Sequence, residues 1–208
     1  MKLESSDLTD GAPIPPRFAF GKPDPAAHMA LSDNLSPHLK WSGAPAETRT
    51  FALLCNDPDV PGQADNVNQE GKSLPADMPR VDFCHWVMAD IPSGITELAT
   101  GECSKGVTPR GKKHPPGPEG ARQGLNNYTE FMAGDPDMAG SYYGYDGPCP
   151  PWNDERLHHY VFTVYALDTD RLDLPEPFTA TDLHQAMSGH ILDQASLTGT
   201  YTLNPAVR

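Results

Sequence analysis

The residues best suited to chemistry sit beside prolines at the ends of apolar runs. Asp57-Pro58-Asp59-Val60-Pro61 follows Phe51-Ala52-Leu53-Leu54-Cys55 after a single residue, Asn56. His85-Trp86 heads a second apolar run, and His158-His159-Tyr160 opens a third. Two carboxylates at i and i+2 admit three roles. Held close together, they form an acid-base pair with one pKa pushed up. They can also share a hard cation, or close an Asx turn around Pro58 with no chemistry at all. His85 is either a satisfied core imidazole or a ring oriented by Asp57, which leaves its second nitrogen for a ligand oxygen. Protonated, such a ring would help hold a phosphoryl group. Side-chain alternation turns Trp86 away from His85 and lets only one of His158 and His159 share the His85 cavity.

Tyr142-Tyr143-Gly144-Tyr145-Asp146-Gly147-Pro148-Cys149-Pro150-Pro151 is the other chemically dense stretch. Its tyrosines offer hydroxyls on rigid rings. Tight backbone at Gly144 and Gly147 could aim amides at an anion. The prolines fix the loop before any ligand arrives. The plain alternative is a stiff surface loop. Cys149 is the one thiol worth testing for reactivity. Cys55, Cys84 and Cys103 are widely spaced, which gives neither zinc spacing nor a disulfide framework. The sequence has no HExxH, GxSxG, phosphate-binding P-loop or GxGxxG motif. No metal and no cofactor is expected.

With 15 basic against 28 acidic residues, the formal charge is −13. A nucleic-acid binder needs a basic patch, and only Arg110-Gly111-Lys112-Lys113 is a candidate, read here as a solvated turn. The beginning of the chain lacks the apolar segment of a signal peptide, and no run reaches membrane-spanning length. The expectation is a cytoplasmic protein with no stable membrane association and no nucleic-acid partner.

These groups need strands to position them. Strands are expected at about 50–55, 84–91 and 160–167, with a last one at 197–203. Tyr160–Leu167 is apolar on both faces, as in a central strand covered on both sides. Long excursions at about 57–82 and 98–150 point to functional loops. Helix is expected mainly at 182–195, started by a capping box from Asp182 to Gln185 and weakened at Gly189. The whole of 1–208 is expected to form one domain.

Taken in order, several pieces carry a specific pattern. They are Asn34-Leu35-Ser36-Pro37 with Trp41, Asp57-Pro58-Asp59-Val60-Pro61, His85-Trp86, Gly124-Leu125-Asn126, Tyr145 through Pro151, His158-His159-Tyr160 and Gly189-His190-Ile191-Leu192. Together they closely resemble the phosphatidylethanolamine-binding protein family, in its prokaryotic, Raf-kinase-inhibitor-like branch. The resemblance spans about residues 14–203. It implies a mainly-β fold of two antiparallel sheets packed face to face, with short peripheral and C-terminal helices. It also implies a small anion-accepting pocket built from Asp57, Pro61, His85, Tyr145, Gly147 and His158. Phe83 falls where eukaryotic relatives often carry tryptophan at the pocket rim. His159 falls where the family usually has arginine, which replaces a permanent forked cation by a titratable ring. The loop carrying Val67-Asn68-Gln69-Glu70-Gly71 resembles an insertion found in part of the prokaryotic branch.

The expected function is therefore non-catalytic binding of a small anionic or phosphorylated molecule, such as a lipid headgroup. Modulation of a protein kinase or protease, and a homodimer, are the further associations allowed for. The alternative is a hydrolase or lyase that uses Asp57 and His85 as its acid-base pair.

Overall fold

The computed structural model describes residues 1–207. Ten strands carry the fold: β1 (Lys2–Glu4), β2 (Gly21–Asp24), β3 (His28–Leu31), β4 (Leu39–Ser42), β5 (Thr50–Pro61), β6 (Arg80–Pro92), β7 (Glu97–Leu98), β8 (Arg122–Gln123), β9 (His158–Leu167) and β10 (Ile191–Tyr201). Two short helices, α1 (Tyr128–Phe131) and α2 (Ala180–Met187), lie outside the sheets. The main sheet is antiparallel, in the order β10-β9-β5-β6-β8, and a three-stranded antiparallel sheet has the order β1-β4-β7. The expected pair of sheets is joined by a separate β2-β3 ribbon.

Strand alternation explains why the main sheet is covered on both faces. Phe51, Leu53 and Cys55 of β5 share a core with Leu39 and Trp41 of β4 and with Leu98 of β7. Their neighbours Ala52 and Leu54 point the other way, onto Leu183 and Met187 of α2. Burying a Leu or Phe side chain is worth about 1.5–3 kcal/mol, so each face stabilises the sheet independently.

Three elements depart from the sequence reading. β5 does not stop at Cys55 but continues through Asp57-Pro58-Asp59 to Pro61, and β6 begins at Arg80. The ladder jumps from Asp57↔Phe83 to Val60↔Val81. Pro58 has no N–H to pair, and a bulge is where a strand tolerates it. At the C-terminal end, α2 covers only Ala180–Met187, and the last strand, expected at 197–203, already begins at Ile191, so 191–195 is strand rather than helix. Gly189 takes φ +85° and ends the helical path, and Leu197 finds burial on the sheet beside β9. The capping box is real but sits three residues earlier than expected. Thr179 accepts from the Asp182 amide, and the Asp182 carboxylate accepts from the Thr179 amide at 2.8 Å. Near the N-terminus, Pro16–Phe18 forms a 3-10 turn.

Candidate functional site

A second ladder irregularity aims His85. Cys55 pairs with Trp86 while Asn56 pairs with Cys84, which leaves His85 as the extra residue of a β-bulge. Cys84 and Val87 face α2, whereas the His85 ring stands 5.1 Å from Tyr160, on the Trp86 side of the sheet. The expected opposition of His85 and Trp86 is therefore corrected by the bulge. The His85 ring is also edge-on to Tyr128 at 5.5 Å and tilted against Phe83 at 4.8 Å. These rings, with Asp57, Pro61, His158 and Cys149, line a cavity of about 310 Å³. Val67 and Asn68 of the insertion close one side. Asn68 and Asn153 hold that loop: the Asn68 amide donates to Asn153 Oδ1 at 2.9 Å, and Trp152 N donates to Asn68 Oδ1 at 2.9 Å.

The His85 tautomer follows from its partner. Nδ1 is 2.8 Å from the Asp146 carbonyl oxygen, which can only accept, so Nδ1 carries the proton. The Asp146 amide returns a bond to the His85 carbonyl at 3.0 Å. Nε2 has no partner among the described residues. Burial holds the His85 pKa below its ordinary value, against the pull of nearby Asp57. At neutral pH, Nε2 therefore presents a lone pair to the cavity.

Asp57 does not orient His85. Its Oδ1 accepts the Asp59 amide at 2.8 Å, and its Oδ2 accepts His158 Nδ1 at 2.7 Å. His158 Nε2 donates to Asp154 Oδ2 at 3.0 Å, and Arg80 pairs with Asp154 through two nitrogens at 2.6 and 3.0 Å. The result is a buried chain of alternating charge, Arg80–Asp154–His158–Asp57. Burial opposes protonation of His158, but the bonds to Asp154 and Asp57 prevail and push its pKa up to about 9. The imidazolium neutralises the cavity floor, and neither of its nitrogens remains for a ligand. The acid-base pair of Asp57 with His85 expected from sequence is thus absent as a hydrogen-bonded pair.

Asp59 faces a different set. It accepts from the Arg156 guanidinium, from His159 Nδ1 at 2.7 Å and from the His159 amide at 3.0 Å. Burial would raise its pKa, but the bonds from His159 and Arg156 hold it below the ordinary carboxylate value. Arg156 thereby supplies a permanent cation where His159 offers a titratable one. The Tyr160 hydroxyl is buried beside Asp57 without a completed hydrogen bond. Burial first, and then the Asp57 charge, raise its pKa. Burial likewise pushes the Cys149 thiol up to about 12, which keeps it a poor nucleophile.

The Phosphatidylethanolamine-binding protein family model matches residues 4–202. A UPF0098 protein of Methanothermobacter thermautotrophicus is 31% identical over 201 residues, covering 97% of this chain and 98% of its own length. The UPF0098 protein YbhB of Escherichia coli is 31% identical over 203 residues, covering 97% of this chain and all of its own. The chain belongs to the phosphatidylethanolamine-binding protein family. Its fold also matches the crystal structure of a phosphatidylethanolamine-binding protein homolog from Chlamydia trachomatis, with a TM-score of 0.64 and 28% identity over 96% of this chain and 95% of that one. E. coli YbcL superposes with a TM-score of 0.68 at 24% identity, over 97% of both chains.

Against that family background, the structure separates the expected pocket residues. Asp57, Pro61, His85 and His158 line the cavity. Tyr145 does not. It is buried in the core against Trp86, and its hydroxyl donates to the Phe18 carbonyl at 2.6 Å. Gly147 is also outside the lining. Its amide donates to Asn34 Oδ1 at 2.8 Å, so it is not available to an anion, and its carbonyl accepts the Tyr128 hydroxyl at 2.8 Å. A Cβ there would lie 2.1 Å from the Phe18 carbonyl oxygen, so the glycine is a packing requirement.

Sequence reasoning missed the group that fixes His85. The buried Asp146 carboxylate accepts from Asn34 Nδ2 at 2.8 Å, Lys112 Nζ at 2.7 Å and Asn126 Nδ2 at 2.9 Å. Asn34, Asn126 and Asp146 all stand in the segments that carried the family pattern, yet nothing local showed that they meet. Lys112 was read as part of a solvated turn, but its ammonium is committed to Asp146.

Proposed function

We propose that this family member binds a small phosphorylated or otherwise acidic molecule in the His85 cavity without turning it over. The observation that carries the reading is the unpartnered Nε2 of His85, fixed by Asp146 in a preformed pocket with an electrically balanced floor. A neutral Nε2 accepts rather than donates. A proton must therefore lie between Nε2 and the ligand oxygen, arriving either on a monoprotonated phosphoryl group or from solvent. Binding is linked to that proton. Affinity for the anion is greatest where either His85 or the ligand already holds that proton, and falls by up to about tenfold per pH unit once both have lost it. The lack of an Asp57–His85 bond and the raised thiol of Cys149 favour binding over the hydrolase or lyase alternative.

The test is calorimetry with inorganic phosphate and phosphoethanolamine in two buffers of different ionisation enthalpy. Net proton uptake should accompany binding of the dianion, and His85→Ala should abolish both the uptake and the binding. Turnover of phosphoesters that disappears in His85→Ala, or binding that is independent of pH from about 5 to 8, would overturn the proposal.

A second reading, regulation of a kinase or protease by contact, draws on one feature. Phe131, 60% exposed, and Val81, 50% exposed, are large apolar side chains open to solvent. Phe131 lines the cavity, and Val81 is the register partner of the lining residue Val60. A peptide docked there would compete with small anions.

A further inference from the structure

A second cavity, of about 500 Å³, lies between residues 113–123 and Glu176–Phe178, with Tyr143 at one side. It contains neither His85 nor Asp57. The basic stretch Arg110-Gly111-Lys112-Lys113 divides here. Lys112 turns inward to Asp146, whereas Lys113 is exposed on the cavity wall and has no carboxylate in ion-pair range among the described residues.

Arg122 adds a second donor. Its Nε and Nη2 are committed to Asp90 and to the Leu172 carbonyl, and its Nη1 has no partner among the described residues. Asp90 balances the charge of Arg122, so among the lining residues the remaining charged side chains are Lys113 and one opposing carboxylate, Glu176.

Pro115, Pro118, Pro177 and Phe178 supply apolar surface to the lining, and the Phe178 ring also supports the Arg122 guanidinium at 5.8 Å. Gln123 anchors the wall to the main sheet: its Oε1 accepts Trp86 Nε1 at 2.9 Å, and its Nε2 donates to the Pro116 carbonyl at 2.8 Å. A prolyl wall tied down in this way loses little freedom when something binds.

We propose that this cavity is a second ligand site, independent of the His85 pocket, for a small organic oxyanion with a flat apolar body, such as an aryl phosphate or aryl carboxylate. The oxyanion meets Lys113 and the unused Nη1 of Arg122, and the ring lies against the prolines and Phe178. Its volume is within the range of small-molecule sites. The sign of each charge makes the assignment testable, because removing the cation and removing the carboxylate must act in opposite directions.

The experiment titrates phenyl phosphate into the intact chain and follows backbone amides by NMR. Saturable shifts are expected across 113–123 and 176–178, and they should persist in His85→Ala, which removes binding only at the other pocket. Lys113→Ala, at an exposed side chain, should weaken the site roughly fivefold, and Glu176→Gln should tighten it roughly two- to threefold, both effects shrinking in high salt. The proposal fails if those amides do not shift, if benzyl alcohol shifts them equally well, or if the two variants change affinity in the same direction. Loss of the shifts in His85→Ala would also overturn it, because the two sites would then not be independent.

Discussion

His158 makes the stability of this protein pH-dependent in a direction opposite to ordinary acid denaturation. Buried between Asp57 and Asp154, it holds its proton to about pH 9 in the folded chain, against an ordinary value of 6.5. Between those values the native state binds the proton and the unfolded state does not. The stabilisation is complete below 6.5 and disappears as pH rises through 9. That interval corresponds to about 3 kcal/mol, at a slope of up to about 1.4 kcal/mol per pH unit. Urea unfolding followed by tryptophan fluorescence at about pH 6, 7.5 and 9.5 measures it. Comparison with His158→Gln isolates this residue from other titrating groups. The variant leaves Asp57 as a buried carboxylate without its cation and should lose about 3–5 kcal/mol near pH 6. Its stability should then decline less with pH over the same window. Adding Asp57→Asn removes the stranded charge and should recover about 2 kcal/mol of that loss. If wild type and His158→Gln show the same slope between pH 6.5 and 9, the imidazolium assignment is wrong.

Other consequences are simpler to score. Gly147→Ala should cost about 3 kcal/mol or prevent folding, because its Cβ would meet a backbone oxygen at 2.1 Å and no flexible side chain can yield; thermal unfolding is sufficient to test this. Lys112→Met removes the cation from the buried Asp146 carboxylate and should destabilise by about 2–4 kcal/mol, seen in chemical denaturation. It should also alter the NMR tautomer signals of His85, which hangs on the same residue. Thr179→Ala should cost about 1 kcal/mol through loss of the α2 cap, with no effect on phosphate binding by calorimetry.

The sequence by itself determined the layers of this fold. The continuous apolar run Phe51–Cys55 reads as a buried strand, and β5, covered on both faces, is that strand. Tyr160–Leu167 likewise announces a central strand, and β9 lies between β5 and β10. Periodicity is a local property, so it survives in the one-dimensional record. The order of motifs was also enough to indicate the family, because each motif is a fixed string. The sequence could not show where strands end when a neighbour keeps pairing with them, which is why β5 runs on through two prolines. Nor could it tell helix from strand at 191–195, where only pairing beside β9 extends the last strand back to Ile191.

The wiring of the site was decided by tertiary structure alone. One unpaired residue in the β5–β6 ladder turns His85 to the face of Trp86. Asp57 lies close in sequence to the motif of the site, yet its carboxylate bonds to His158, 101 residues away, rather than to His85. Tyr145 and Gly147 belong to the same rigid segment as Asp146, but their polar groups are committed to Phe18, Asn34 and Tyr128. A side chain's type states what it can bond to. Which partner it meets, and hence whether it holds a proton or presents a lone pair, depends on burial and on distances that exist only after the chain has folded.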